Sequence, residues 1–290
     1  MAGFSVSDAA LEGIRLTREK PRIVLLWGLY YIAFIVVMGV IAYLTLGPHM
    51  SDLLTRMSSP PKDPAAAERL IATVLPFLDI AGPVSLVFQA MFTAAIYRRV
   101  LRPDDGRAGL RLGMDELRQL AVIALFGLVL MGLLSILTMV DFITAGLPDN
   151  QLSVLFSALL RVAGLCAAVV LLVRLSLVGA ASFAQHRLAI LQGWRLSQGQ
   201  VWRLLGAYLL ATVLAVVVWF LMQFLLGLLF VVLHGATGLA PTGPQGGGPA
   251  AMIAFVVLEA FASLVATCAY VILLAPPAAA YAALAGEAVA

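Results

Sequence analysis

Apolar and polar positions alternate along this chain in long blocks. Six apolar runs cover approximately residues 23–46, 70–97, 120–140, 152–177, 204–233 and 251–275. Each is close to the ~20 residues a helix needs to cross a ~30 Å hydrocarbon layer. Inside lipid a helix satisfies its own backbone hydrogen bonds, so an apolar run of this length predicts helix. Period-two alternation, the mark of a β-barrel strand, is absent from the runs. The pattern predicts an all-α polytopic bundle of about six membrane helices, one integral membrane domain over residues 1–290.

The polar blocks between the runs carry a second periodicity. In the first, Ser5 and Asp8 fit a capping box, and Asp8, Glu12, Arg15 and Glu19 recur at helical spacing as one polar stripe. In the second, Arg107, Arg111, Asp115 and Arg118 do the same, with Arg111 and Asp115 spaced to pair at i, i+4. In the third, Leu188, Leu191 and Trp194 form an apolar face opposite Gln192 and Arg195. These segments predict short amphipathic helices lying in the membrane interface. Trp194 and Trp202 suit the headgroup level, where an indole has an apolar and a polar side to face.

The three segments share a Gly-x-Arg-Leu centre: Gly13, Arg15 and Leu16; Gly109, Arg111 and Leu112; Gly193, Arg195 and Leu196. Each precedes an apolar run by a few residues. The pattern predicts three repeat units, residues 5–101, 102–182 and 183–284, each a short interfacial helix, a span, an outer loop and a returning span. Chance matching in a chain rich in Leu, Ala and Gly is the alternative. The closing segments agree in part: "AAIYRRV" at 94–100 and "AAAYAAL" at 278–284 share a tyrosine that the second unit lacks.

Composition supports the class. The 290 residues are 62% hydrophobic and 11% charged, with a mean hydropathy of +1.03; soluble domains carry about 25% charged residues. Lipid must therefore be the solvent for much of the chain. The first apolar run is too long for a cleaved signal and reads as a retained anchor. Cys166 and Cys268 fall in apolar runs and read as small core residues. The net charge is only +3, but its placement is asymmetric. Arg15, Arg18, Lys20 and Arg22, then Arg98, Arg99, Arg102, Arg107, Arg111 and Arg118, then Arg187, Arg195 and Arg203 all fall on one side. The opposite loops hold Arg56, Lys62 and Arg69 alone. The positive-inside rule makes the first side cytoplasmic, together with both termini. The loops at 49–68 and 235–249 read as passive connections.

Catalytic patterns are missing. His49, His186 and His234 are far apart, and no His-Glu-x-x-His, Gly-x-Ser-x-Gly or Walker-type lysine occurs. Asp104 and Asp105 read as a solvated turn. No catalytic, cofactor-binding or metal-ligating residue is expected, and the chain is not expected to be an enzyme. Nucleic acid is not an expected partner, because the basic residues trace a membrane edge that topology already explains. Three charged residues are harder to dismiss: Asp79, Arg161 and Glu259 each fall well inside a returning span, where an ionisable group costs several kcal/mol. They read as a structural cluster, with Arg161 paired to Asp79, Glu259 or both, or as an ion or substrate pathway. Asp141 and Arg174 are near enough to span ends to snorkel.

The stretches "FSVSDAALEGIRLTREKP" before the first span, "GWRLSQGQVWRLLGAYLL" into the fifth and "RLGMDELRQL" before the third resemble the glycerophosphoryl diester phosphodiesterase membrane-domain-like family, bacterial membrane proteins with six helices. The resemblance covers most of the chain, on short motifs. It implies a six-helix fold and a bacterial inner-membrane location. The metal-dependent barrel that accompanies the domain in some members has no counterpart among these residues, so no catalytic residues are implied. The expected role is scaffolding, assembly or regulation with the lipid bilayer, its lipids or other membrane proteins as partners. A transporter or channel using Asp79, Arg161 and Glu259 is the alternative, and an intramembrane lipid enzyme a third.

Overall fold

The structure, a computed structural model, describes residues 5–49, 53, 64–103, 109–145, 151–237 and 249–287. Among these residues there is no strand. The helices are α1 (Val6–Glu19), α2 (Pro21–Leu46), α3 (Pro64–Leu101), α4 (Met114–Ala145), α5 (Gln151–Ala184), α6 (Ile190–Leu196), α7 (Val201–Thr237) and α8 (Pro249–Glu287). Six of them, α2 to α5, α7 and α8, are long and apolar enough to cross a membrane. Proline opens α2, α3 and α8, at the position where its missing N–H has no intrahelical partner to lose.

Of the three predicted short helices, those at the two ends of the series form, as α1 and α6, and the middle one does not. In α1, Ser5 accepts a hydrogen bond from the Asp8 N–H at 3.3 Å, and Arg15 reaches Glu12 at 3.0 Å and Glu19 at 3.8 Å. Ala9, Ala10, Gly13 and Leu16 form the buried face. Residues 109–113, the middle Gly-x-Arg-Leu segment, are not helical. Two glycines bracket Leu110, Arg111 and Leu112, and a stretch so short cannot repay helix nucleation. Asp115 and Arg118 belong instead to the first turn of the long α4, so Arg111 and Asp115 are not an i, i+4 helical pair. Cys166 is exposed and Cys268 partly buried, against the core position expected for both. The loops at 49–68 and 235–249, with Asp104, Asp105, Arg107 and the side chains of Asp141 and His234, lie largely or wholly outside the described residues.

The chain divides into two compact units. The first comprises Met1–Pro21, Ala90–Leu221 and Cys268–Ala290. Its core gathers at the end where α3 and α5 finish and α4 begins. Ala94 and Ile96 of α3, Leu177, Val178, Ala181 and Phe183 of α5, Leu204 and Ala207 of α7, and Val271, Ala275 and Ala278 of α8 are buried there. Small residues let membrane helices approach closely where no hydrophobic driving force acts between them. Two glycines take this furthest. A Cβ on Gly13 of α1 would lie 2.4 Å from the Cα of Ile272 in α8, and one on Gly193 of α6 would lie 2.7 Å from the Cα of Val178 in α5. The glycines of the first and third Gly-x-Arg-Leu segments thus let each short helix rest backbone to backbone on a membrane helix.

The second unit comprises Arg22–Gln89 and Met222–Thr267. Here α2 buries Trp27 completely. Gly28 sits on Leu264 of α8, where a Cβ would come within 2.4 Å of the leucine side chain. Phe34 stacks on Phe88 of α3 at 4.2 Å between ring centroids.

A candidate ionic collar at the arginine-rich end

A cluster of charged residues in the first unit gathers where α3 ends and α4 begins. The last turn of α3 carries Arg98 and Arg99, with Arg102 just beyond it, and the first turn of α4 carries Asp115 and Glu116. Each charge complements the dipole of its own helix end. Arg98 and Glu116 form an ion pair almost wholly removed from solvent, at 1% and 3% exposure. Arg111 faces the same carboxylate at 3.7 Å. Partners 18 residues apart in sequence thereby lock the end of one span to the start of the next.

Asp115 is the second centre. Arg118 donates to it at 2.6 Å, His186 Nδ1 lies 2.9 Å away, and Arg102 stands at 3.8 Å. Arg102 also donates to the Phe183 carbonyl at 3.2 Å and lies 2.8 Å from His186 Nε2. A guanidinium has donors only, so Nε2 accepts, and Nδ1 carries the imidazole proton and donates it to Asp115. His186 therefore bridges an arginine and a carboxylate. It does so with φ at +53°, a left-handed conformation uncommon for a residue with a Cβ. The two hydrogen bonds offset that strain. The Arg102 guanidinium also lies 4.9 Å from the centroid of the Phe183 ring, a cation–π contact, and Tyr97 meets the same ring edge-on at 6.2 Å. Gln119 completes the seam by donating to the Gly179 carbonyl at 2.8 Å.

The neighbouring turn is built with equal care. Ser182 of α5, fully buried, accepts from the Ala189 N–H at 3.0 Å and closes the connection into α6. Arg174 lies 5.0 Å from the Trp194 ring, so this arginine is held by α6. Trp202, beyond α6, is 81% exposed, and Leu191 within α6 and Leu112 before α4 are also exposed. In α1, burial raises the Glu12 pKa above its ordinary carboxyl value, and the Arg15 guanidinium partly counters the shift.

The intramembrane charges are placed otherwise. Asp79, Arg161 and Glu259 are each exposed on their helices. Among the described residues, Asp79 and Glu259 take part in no ion pair. Within the second unit, Glu259 and Gln223 line a niche of about 330 Å³ otherwise walled by apolar groups such as Leu226 and Phe230. Among the described residues no three His, Cys, Asp or Glu side chains converge as metal ligands would.

Reading the sequence in local windows missed the collar itself. Arg111, Asp115 and Arg118 were legible as charged, but not as members of a network with Arg98, Arg102 and His186. One signal was available: two arginines close one apolar run and Asp-Glu opens the next. The chain matches no protein-family model, no curated protein and no solved structure.

Proposed function

We propose that the protein is a non-enzymatic scaffold of a bacterial inner membrane, with both termini in the cytoplasm, that holds membrane partners or lipids in place. The observation that carries this reading is the contrast within the first unit. Its arginine-rich end is packed, ion-bridged and braced by short helices, while the apolar stretches of α4 and α5 beyond are exposed, as at Leu128, Met139, Leu155 and Leu159. A rigid basic collar at the inner face, with free apolar helix flanks above it, suits a part that docks laterally and stays put. Arginines at that face agree with the positive-inside rule and with anionic headgroups. Membership of the glycerophosphoryl diester phosphodiesterase membrane-domain-like family is part of the same proposal. It rests on the sequence motifs alone.

A transporter is the second reading, favoured by the niche that Gln223 and Glu259 line within the second unit. Polar groups inside spans commonly mark pathways. Liposomes holding the purified protein separate the two. The scaffold reading expects ion and proton flux no greater than in empty liposomes. Flux that Glu259→Gln or Asp79→Asn abolishes, with the protein still folded, would overturn it in favour of transport.

A further inference from the structure

We infer that Arg99 anchors a binding site for a phosphate-class oxyanion at the arginine-rich end of the first unit. Arg99 is 8% exposed, and its Nε has no hydrogen-bond partner. Among the described residues it makes no ion pair either. A guanidinium stays charged at any physiological pH, so this residue cannot relieve its burial by losing a proton. A buried charge without a counter-ion costs several kcal/mol.

The neighbouring acids do not meet that need. Glu116 is paired with Arg98 and faced by Arg111. Asp115 is shared among Arg118, Arg102 and His186. Arg98, Arg111, Arg102 and Arg118 thus occupy the two carboxylates, and Arg99 pairs with neither. Its place on the helix separates it from the others. Phe92 and Ile96, seven and three residues earlier, share its face, and Phe92 meets Tyr270 of α8 edge-on at 6.1 Å. So α3 turns Arg98 towards α4 and carries Arg99 on the side towards α8.

The planar fork of a guanidinium matches two oxygens of one phosphate. The shared chemistry is an oxyanion, supplied by an anionic lipid headgroup or by free phosphate. The lipid source rests on the proposed placement of this end at the inner membrane face; the free-phosphate source does not.

The test uses the full chain in a maltoside detergent and phosphate-free buffer, followed by thermal unfolding. Inorganic phosphate or short-chain phosphatidylglycerol is added, with sodium chloride at matched ionic strength as control. One of the two should raise the wild-type unfolding temperature by at least about 3 °C. A response to the lipid alone assigns a headgroup, and a response to phosphate assigns the free anion. Without any oxyanion, Arg99→Met should be at least as stable as wild type, and adding one should change nothing. Arg111→Gln should keep the wild-type response. No rise with either compound, or a rise retained in Arg99→Met, would overturn the site. Should Arg99→Met fail to fold, Arg99→Lys decides: losing the fork should raise the half-saturating concentration about tenfold, and an unchanged value would overturn the proposal. Flux in the liposome assay would sink the scaffold reading and leave this result standing.

Discussion

Helices α4 and α5 have two ends with opposite characters. Where α4 begins and α5 finishes, Val122, Leu175 and Val178 form a buried cluster against which Phe126, Leu171 and Trp194 pack. Beside it the Gln119 side chain donates to the Gly179 carbonyl. Towards the other ends, Leu128, Met131 and Phe142 of α4 and Leu152 and Leu159 of α5 are all exposed, Phe142 to 83%. Both ends carry large apolar side chains, so the presence of apolar residues does not by itself separate them. Small residues and paired charges do. Cohesion of this unit should therefore reside at the arginine-rich end, and substitutions should be felt there and nearly unnoticed along the flanks.

The largest effect should come from splitting the Arg98–Glu116 pair. Glu116→Leu strands a buried guanidinium and should cost about 3–5 kcal/mol. The double variant Arg98→Leu/Glu116→Leu should recover most of that loss. Thermal unfolding of the singles and the double gives the coupling directly, and additive losses would remove the pair from the account. Arg98 and Glu116 lie far outside the same-helix window that local patterns address, which is why the sequence reading placed basic residues at the membrane edge without finding their partners.

Next come the close-contact glycines. Gly193→Ala would force a Cβ against the backbone of Val178, and Gly13→Ala against that of Ile272; neither backbone yields cheaply. Each should cost about 1–3 kcal/mol. Gly127→Ala and Gly132→Ala meet nothing within 4 Å and should be neutral or stabilising by up to about 1 kcal/mol, the usual gain in helix propensity. Equal effects at both pairs would erase the difference between the regions.

These glycines mark how far the sequence could be read. The motif Gly-x-Arg-Leu stood out at 13, 109 and 193, and the apolar runs located the spans well. Local pattern sufficed for most of α1, where Ser5 caps and Asp8, Arg15 and Glu19 of the stripe face outward while Glu12 is partly buried. It misled at 109–113, because the same residues between two glycines do not make a helix. It singled out Asp79 and Glu259 by their depth in the spans but could not give their exposure, which depends on neighbours no local window contains.

A smaller effect is expected at His186. His186→Asn tolerates the left-handed backbone but cannot bridge Arg102 and Asp115 in the same way, and a loss of about 1 kcal/mol should follow. The smallest concerns Glu12. Its raised pKa means the folded chain holds that proton more tightly than the unfolded chain. Stability should fall as pH rises from the ordinary carboxyl range through the folded value. Glu12→Gln should remove that slope and stabilise the protein at neutral pH by less than about 1 kcal/mol. A slope unchanged in the variant would assign it to other groups.

The contrast along α5 can be measured in a bilayer. With Cys166 and Cys268 replaced by alanine, a spin label is placed at Leu159 or at Leu171, and its collision rate with dissolved oxygen is read by power saturation. Leu159 should show the high oxygen access and motion of a lipid-facing site. Leu171, packed against the cluster at the arginine-rich end, should be immobilised and shielded. Equal shielding at the two positions would contradict the claim that the core of this unit is confined to that end.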